Sequence, residues 1–328
     1  MNFEQFKKQL NQPMSKQWHF HPKLPVGFYP FFDWPPSPKK WLGFIWNYWL
    51  QKSDRTIFLA LSFFTFYFLV PSMEVMKTLS PGWISMTILR DLTIFLIVTG
   101  GLHWWFYMRE GQGMKFRYDT IPRKKKSRLF SFHNQIHDNI FWSLVSGVPL
   151  WIAFEVFLLW SFASGKIAIF QFSDGWIWFC LWFPILQIWQ SFHFYWWHRM
   201  LHIPIFYKIV HAVHHRNVNP GPWSGISMHP IEHALFYSSL LIHFVIPSHP
   251  VHVLYHIYWL ILGTVTTHSG YEEIWVKDKS LLTVGSFFHH IHHRYFNCNY
   301  GNPEIPFDRW FGSYHDGSEA ATNRMQKK

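Results

Sequence analysis

The chain has 328 residues, of which 49% are hydrophobic, 21% are aromatic and only 14% are charged. Soluble domains carry about 25% charged residues, so this composition excludes a disordered chain, a coiled coil and an ordinary soluble enzyme, and it favours a protein that faces lipid. The formal net charge is +11, but the basic residues cluster at the ends of apolar runs, which argues against nucleic-acid binding. The two cysteines exclude a disulfide framework and a cysteine-based metal site.

Residues 1–55 are predicted to form an arm at the membrane interface. Aromatic side chains alternate with prolines over positions 18–38. Prolines prevent a long helix, and aromatic rings suit the depth of the lipid headgroups. Residues 41–50 indicate a short amphipathic helix before the first apolar run.

Four apolar runs follow and are predicted to cross the membrane as helices. They are Thr56–Val70, Trp83–Met108, Phe141–Ala163 and Trp176–Trp197. Residues 108–140 carry eight Lys and Arg residues, whereas the loops at 71–82 and 164–175 carry one each. Because basic loops stay in the cytoplasm, this bias places the 109–140 loop on the cytoplasmic side. Arg90, Asp91 and Glu155 lie inside predicted spans and are expected to face protein, since charges exposed to lipid are costly.

Two shorter apolar stretches, 234–246 and 251–267, are separated by prolines. They are predicted to form a helical hairpin that dips into the membrane and returns to the same side. The predicted fold is therefore all-α: a polytopic membrane protein with about four transmembrane helices, this membrane-dipping hairpin and a histidine-rich helical cap. Counting the spans places the cap and all of its histidine clusters on the cytoplasmic side.

Histidine is the other unusual feature, with 23 residues in the chain. Three clusters have helical spacing: His198 and His202; His211, His214 and His215; His289, His292 and His293. Residues three or four positions apart share one face of a helix, so each cluster presents its imidazoles in one direction. Eight imidazoles exceed the coordination shell of one ion, so the sequence predicts two metal ions. Imidazole suits iron, zinc, copper and nickel.

Four further side chains are candidates for the same site. His268 ends the last apolar run and Glu272 follows four residues later, so one helical turn would aim both at the metals. We therefore take His268 as a candidate metal ligand and Glu272 as a candidate catalytic residue. His229 and His233 are also candidate ligands; the alternative is a structural turn in which Glu232 pairs with an arginine.

The remaining histidines of this region receive other interpretations. His193 and His290 are expected to support the ligands or to be structural. The histidines of the hairpin, which are His243, His249, His252 and His256, are expected to lie in the core or at the interface. The chain has no H-E-x-x-H or E-x-x-H motif, which argues against a zinc protease and against a carboxylate-bridged di-iron bundle.

The order H-x-x-x-H, H-x-x-H-H, H-x-x-H-H behind several apolar spans resembles the fatty acid hydroxylase/sterol desaturase superfamily over about residues 141–315. The stretch 289–313, with Asn-Cys-Asn-Tyr-Gly and Asp-Arg-Trp-Phe-Gly, is similar to the third histidine box and tail of sterol carbon-5 desaturases. The resemblance implies a membrane-bound oxidase that uses two iron ions, imidazole ligands and O2 to hydroxylate or desaturate a lipid. It also implies a separate electron-transfer protein, either a b-type cytochrome or a ferredoxin.

The resemblance also suggests a division of the chain. Residues 56–140 are predicted to form a first transmembrane pair with its basic loop, 141–315 a catalytic domain, and 316–328 a polar tail. The host membrane is expected to be a bacterial inner membrane or the endoplasmic reticulum.

Three alternatives remain open at the level of sequence. The substrate is either sterol-like or a fatty acyl chain, an alkylglycerol or a carotenoid, because imidazole ligands do not select a substrate. The same ligand set serves hydroxylation and desaturation. From another class of protein, a histidine-rich metal transporter or sensor is possible, although it requires polar groups along its spans.

Overall fold

The computed structural model describes residues 18–51 and 53–326, and the chain is mostly helical, as predicted. The longer helices are α1 (Asp54–Phe68), α2 (Pro81–Met108), α3 (Gln135–Ala163), α4 (Trp176–Leu201), α5 (Pro230–Tyr237), α6 (Pro250–Thr267) and α7 (Phe287–Tyr295). Shorter helices are Pro38–Phe44, Met73–Met76, Pro204–Phe206, Ala212–His215, Phe307–Trp310 and Glu319–Gln326. A π-helical turn, Tyr207–His211, joins Pro204–Phe206 to Ala212–His215, so residues 204–215 form one helical segment.

Polar side chains define where several helices begin. The hydroxyl of Ser53 accepts from the backbone amide of Arg55 at the start of α1, and the side chain of Asn134 caps α3. Ser286 caps α7 by accepting from the amide of His289. Such caps satisfy amides that have no partner in the first helical turn. The cap at Ser286 therefore fixes the start of the helix that carries the third histidine cluster.

Two helices of the described ranges, α2 and α3, are long and apolar enough to cross a membrane, with 28 and 29 residues. Helix α1 has 15 residues and α4 has 26. A span needs about 20 predominantly apolar residues, so α1 is short, and α4 ends in the polar first histidine cluster. Two of the four predicted spans thus meet these requirements, and the number of four remains a prediction.

The bundle has an apolar exterior and charged groups in its interior. Leu89 and Ile97 of α2 are more than 60% exposed. On the inner face of the same helix, Arg90 forms a salt bridge with Asp91 at 2.8 Å and contacts Glu155 of α3. These three charges face protein, as predicted. An exposed apolar face over buried, paired charges is the arrangement that suits a lipid environment.

Helix α6 lies at the centre of the fold. Nearly all of its side chains are buried, and it packs against α1, α2, α3 and α4. A helix that is buried on every side presents no face to water. Its C-terminal end delivers His268, so the central helix also positions part of the site.

A small β-sheet corrects the all-α prediction. Strands β1 (Glu273–Val276) and β2 (Lys279–Thr283) pair in antiparallel register after α6. Lys277 and Asp278 form the two-residue turn, and both have positive φ, at 47° and 59°. Two positive φ values match the right-handed twist of a hairpin. The sequence analysis missed this element because it followed apolar periodicity, and the Lys-Asp turn lacks the usual glycine or asparagine.

The described part of the predicted N-terminal arm packs on α7. The ring of Trp18 lies 4.8 Å from that of Phe287, and the guanidinium of Arg294 lies over Trp18 at 4.1 Å. Residues 1–17 of the arm lie outside the described ranges. The domain boundaries remain predictions.

Candidate metal centre

The first of two histidine groups joins imidazoles from three helical segments. Its members are His198, His202, His211, His215 and His292. The Nε2 atom of His211 lies 3.1 Å from the Nε2 atoms of both His198 and His202. The Nε2 atoms of His215 and His292 are 3.0 Å apart. The possible ligand atoms of the group all lie within 4.8 Å of one another, which is close enough to share one ion.

The second group consists of His214, His268, His289 and His293. The Nε2 atom of His268 lies 3.0 Å from that of His293 and 3.2 Å from that of His289. His289 and His293 are 3.1 Å apart at the same atoms. All four side chains are buried. The structure thus brings together the eight clustered histidines and His268, in two groups.

The division into two groups follows the spacing within each cluster. Histidines four positions apart share a group: His198 with His202, His211 with His215, and His289 with His293. His214 and His292 lie on the same helical segments but join the opposite group. Successive residues turn by about 100° around a helix, so the neighbour of a ligand points away from that ligand's ion. Each H-x-x-H-H cluster therefore contributes imidazoles to both groups.

In several of these imidazoles the other ring nitrogen, Nδ1, is hydrogen-bonded to a backbone carbonyl. Nδ1 of His198 contacts the carbonyl of Tyr300 at 2.5 Å, and Nδ1 of His292 contacts that of Cys298 at 2.6 Å. Nδ1 of His268 contacts the carbonyl of Thr264 at 2.7 Å. A carbonyl can only accept, so the proton lies on Nδ1 and donates outward. The Nε2 lone pair of each ring consequently faces the centre of its group.

This donor set fits two metal ions. Nδ1 of His198 faces a carbonyl and Nδ1 of His211 faces a carboxylate, so both rings carry their proton on Nδ1 and cannot hydrogen-bond to each other through Nε2. Their Nε2 lone pairs, 3.1 Å apart, therefore repel unless a cation lies between them. With a metal–nitrogen bond of about 2.1 Å, neighbouring ligands at right angles are about 3.0 Å apart. The observed separations match that spacing. A set made only of imidazoles is suited to iron, zinc or copper.

Electrostatics keeps these rings neutral. Burial, followed by repulsion from neighbouring imidazoles, holds the pKa of His215 and of His292 well below the ordinary value for histidine. Burial lowers the pKa of His268 to about 4. Since a metal binds only the neutral imidazole, ligands that are already deprotonated at pH 7 need not release protons on binding.

His229 and His233 lie outside both groups. His229 precedes α5 and its Nδ1 accepts from the backbone amide of Ile231, so it caps the helix. His233 is buried between two partners, with Nδ1 2.9 Å from the hydroxyl of Ser146 and Nε2 3.1 Å from the carbonyl of Ile226. Both ring nitrogens of His233 are thus engaged away from the two groups.

Glu272 also lies outside both groups, because the helical turn expected for residues 268–272 does not form. Helix α6 ends at Thr267, and Gly270 adopts a φ of +81°, which favours glycine and reverses the chain. The carboxylate of Glu272 instead accepts from the hydroxyl of Tyr118 at 2.6 Å. Burial raises the pKa of Glu272 to about 7.

The carboxylate that does reach a grouped histidine is Glu232. Its Oε1 lies 2.7 Å from Nδ1 of His211. The pairing of Glu232 with an arginine, considered from sequence, is wrong because Arg216 pairs with Asp138 and Arg199 donates to the hydroxyl of Tyr195. A carboxylate behind a ligating imidazole fixes its tautomer and raises its basicity. The signal in the sequence is a glutamate in the first turn of the helix that begins at His229-Pro230.

A cavity adjoins both histidine groups. Its apolar wall includes Phe194, Trp197, Leu201, Met228, Leu235, Phe236 and Leu260, and five of the nine grouped histidines, which are His198, His211, His214, His268 and His289, also line it. Asp54, Arg55 and Glu304 line it as well. Arg55 donates to the hydroxyl of Tyr29 at 2.6 Å and pairs with Glu304 at 3.5 Å. The cavity therefore joins imidazoles, an apolar wall and a group of paired charges.

Comparisons with known proteins show which family this site resembles. The model of the fatty acid hydroxylase family matches residues 183–313. A Delta(7)-sterol 5(6)-desaturase of Aspergillus fumigatus is 32% identical over 148 residues, which are 44% of this chain and 40% of the fungal protein. One from Gibberella zeae is 30% identical over 171 residues, or 47% of this chain and 50% of that protein.

A putative methylsterol monooxygenase of Dictyostelium discoideum is 34% identical over 130 residues, or 38% of this chain and 47% of that protein. The chain thus spans about half the length of these relatives, or less. No solved structure matches the chain. The predicted resemblance to the superfamily is confirmed: residues 183–313, which supply all nine grouped histidines, match the model of the fatty acid hydroxylase family, and the chain is similar to Delta(7)-sterol 5(6)-desaturases.

Proposed function

We propose that this protein is a membrane-bound, O2-dependent oxidase that uses two iron ions to hydroxylate or desaturate a sterol-like lipid. The observation that carries the proposal is the convergence of nine neutral imidazoles in two groups beside one cavity. Iron is proposed because the matched family and its sterol-oxidising relatives favour redox chemistry, which zinc does not support.

Each group of histidines would hold one of the two ions. In this proposal His198, His202, His211, His215 and His292 hold one ion, and His214, His268, His289 and His293 hold the other. Bound iron would allow the protein to reduce O2 with electrons from a separate electron-transfer protein and to oxidise an unactivated C–H bond.

Groups of the protein orient the imidazoles and exclude water from the site. The carbonyls of Tyr300, Cys298 and Thr264 hold a proton on Nδ1 of their imidazoles, which keeps each Nε2 directed inward. Glu232 orients His211 in the same way. The apolar wall of the cavity, including Phe194 and Phe236, excludes water and places a hydrocarbon ligand beside the imidazoles.

The substrate class follows from the relatives and is part of the proposal. Two of the relatives are named as sterol desaturases and one as a putative methylsterol monooxygenase. A fatty acyl chain, an alkylglycerol and a carotenoid are the alternatives that the same apolar wall would accept. We also propose that the histidine end faces the cytoplasm, where a b-type cytochrome or a ferredoxin delivers the electrons. The basic segment at 123–128 supports this orientation.

A metal transporter is the alternative from another class. Transport requires polar groups that line a path through the spans. The charges inside α2 and α3, on Arg90, Asp91 and Glu155, instead pair with one another. The paired charges favour the oxidase.

The test combines metal analysis with product analysis. The full chain, purified in lipid nanodiscs and loaded with Fe²⁺ under anaerobic conditions, should hold about two iron ions. With O2, a b-type cytochrome and its reductase, it should convert Delta(7)-sterols to a hydroxylated or dehydrogenated product by mass spectrometry. Removal of iron by a chelator should abolish the product, and added Fe²⁺ should restore it. The same assay is run with a fatty acyl lipid, an alkylglycerol and a carotenoid. Two bound irons without oxidation of any of these four lipid classes would refute the oxidase, and iron uptake into sealed vesicles would favour the transporter.

A further inference from the structure

A carboxylate lies behind His198 in the loop after α7, with one peptide group between them. The carbonyl of Tyr300 accepts from Nδ1 of His198 at 2.5 Å. The amide of Gly301 donates to Oδ2 of Asp308 at 2.8 Å. This carbonyl and this amide belong to the same peptide group, which is trans. Because the C=O and N–H of a trans peptide point in opposite directions, the group connects the imidazole of His198 to the carboxylate of Asp308.

Asp308 is a buried anion that is stabilised by hydrogen-bond donors. It is fully buried, and it forms no salt bridge within the described residues. Its Oδ1 accepts from the amide of Tyr300 at 2.8 Å and from the hydroxyl of Ser313 at 2.6 Å. Burial raises the pKa of Asp308, and the three donors oppose this rise. Each oxygen faces a backbone amide, which can only donate, as suits an ionised carboxylate.

The lack of a side chain at residue 301 permits this close approach. A Cβ atom added to Gly301 would lie 3.2 Å from Oδ2 of Asp308 and 3.1 Å from the ring of Tyr195 on α4. Both separations are shorter than the optimal distance of about 3.5–4.0 Å between non-bonded carbon atoms. Glycine therefore allows the carboxylate to reach the amide of the peptide group that holds His198.

A second peptide group in the same loop provides an internal comparison. The carbonyl of Cys298 accepts from Nδ1 of His292 at 2.6 Å. The amide of Asn299, in the same peptide group, donates to the carbonyl of Ser313 at 2.9 Å. The two peptide groups thus contact two histidines of the first group in the same way, but only the chain of hydrogen bonds from His198 ends on a charged acceptor. Hydrogen bonds in a chain polarise one another, and charged acceptors make the stronger bonds.

We propose that Asp308 is a positioning residue for His198, which acts through the peptide group of Tyr300 and Gly301 and raises the metal affinity of the first histidine group. The carboxylate attracts the amide proton, which leaves more negative charge on the carbonyl of Tyr300. That carbonyl binds the Nδ1 proton of His198 more strongly, so the ring becomes a better ligand at Nε2. This inference rests on the proposed function, because it requires a metal ion at the first group.

The test measures metal binding without turnover. The full chain in phosphatidylcholine nanodiscs is stripped of metal and titrated with Co²⁺ against a competing chelator, since imidazole sites bind Co²⁺ and its absorption bands report on its ligands. Asp308→Asn should weaken the binding of one Co²⁺ ion about tenfold and shift its bands, while the other ion keeps its affinity and spectrum. The expected loss is at the lower end of the range of about 10–100-fold for groups behind a metal ligand, because a peptide group separates Asp308 from the ring.

Two ligand variants identify the affected ion. His268→Ala should retain only the ion of the first group, and His215→Ala only the ion of the second. Asp308→Asn should therefore weaken Co²⁺ binding about tenfold in the His268→Ala background and leave it within about twofold in the His215→Ala background, because it acts on one group only.

Two further variants separate polarisation from folding. Asp316→Asn is the control, because Asp316 is a carboxylate of the same tail that accepts from the amide and the hydroxyl of Ser318. It forms no hydrogen bond with a grouped histidine in the described part of the chain, so this variant should bind both ions as the wild type does. Gly301→Ala places a Cβ against the carboxylate of Asp308, so it should weaken the same ion as Asp308→Asn.

Several outcomes would overturn the inference. They are an unchanged affinity and spectrum in Asp308→Asn, an equal loss at both ions, a loss confined to the second group, and the same loss in Asp316→Asn. If Asp308→Asn does not fold, Gly301→Ala in the His268→Ala background decides, and wild-type affinity there would contradict the inference. Failed lipid oxidation together with a selective loss in Asp308→Asn would refute the proposed function alone.

Discussion

Buried histidines occur in two regions of this protein, and their nitrogen atoms have different neighbours. At the cytoplasmic end of the proposed topology, Nε2 atoms face other Nε2 atoms at 3.0–3.2 Å. In the middle of the bundle, Nδ1 of His243 faces the hydroxyl of Ser248 at 2.9 Å and Nε2 of His256 faces the amide oxygen of Gln190 at 3.2 Å. Nε2 of His252 faces the carbonyl of Phe179 at 2.9 Å.

Burial by itself therefore does not distinguish a ligand from a structural histidine. His243, His252 and His256 are fully buried, as are His292 and His293. In the middle of the bundle each histidine finds a protein partner of matching polarity, so the site is satisfied without an ion. In the two groups the Nε2 atoms face one another, an arrangement that a bound cation would satisfy.

The largest expected effect comes from removing a grouped imidazole. His268→Ala should lower bound iron from about two to one ion per chain and reduce lipid oxidation at least about 100-fold, since a methyl group cannot ligate. His215→Ala should do the same in the other group. Elemental analysis and product analysis of the folded protein test this. Two irons and more than a tenth of the activity in either variant would contradict the assignment.

A smaller effect is expected at the carboxylate behind His211. Glu232→Gln should lower activity or iron affinity by about 10–100-fold, because the amide accepts more weakly from Nδ1 than the carboxylate does. Glu272→Gln is the control, since Glu272 is a partly buried glutamate that contacts Tyr118 and lies outside both groups. It should retain activity within about twofold. A silent Glu232→Gln would show that His211 is held by its helix alone.

A stability effect without a metal effect is expected in the middle of the bundle. His243→Phe leaves Ser248 and His256 without this partner. We expect a loss of about 1–3 kcal/mol in the free energy of unfolding, because buried polar groups lose their hydrogen bonds. Bound iron and activity of the folded fraction should not change. Loss of one iron in this variant would contradict the claim that the histidines in the middle of the bundle do not bind metal.

The smallest effect concerns the pH dependence of stability at Glu272. Its pKa is raised to about 7 in the folded protein, from an ordinary value of 4.5. The stabilisation from this group is thus complete below pH 4.5 and is lost as pH rises through 7. The fall should reach at most about 3 kcal/mol and should be absent in Glu272→Gln. Unfolding of both proteins in denaturant between pH 4.5 and 8 tests this, and parallel profiles would contradict it.

The sequence by itself determined the clusters and their helical spacing, and it predicted two metal ions. These features are local: spacing of three or four residues fixes a shared helical face, and eight imidazoles exceed one coordination shell. It also determined that Arg90, Asp91 and Glu155 must face protein, because lipid does not solvate charge. The resemblance to the fatty acid hydroxylase/sterol desaturase superfamily depended on the same local motifs.

Only the tertiary structure decided which partners each side chain meets. His214 and His292 join the opposite group from their neighbours because three helical segments converge at particular rotations. Glu232 rather than Glu272 reaches a grouped histidine, since the chain reverses at Gly270 and α5 approaches residue 211 from elsewhere in the sequence. Such contacts join residues far apart in the chain, and spacing along the sequence contains no record of them.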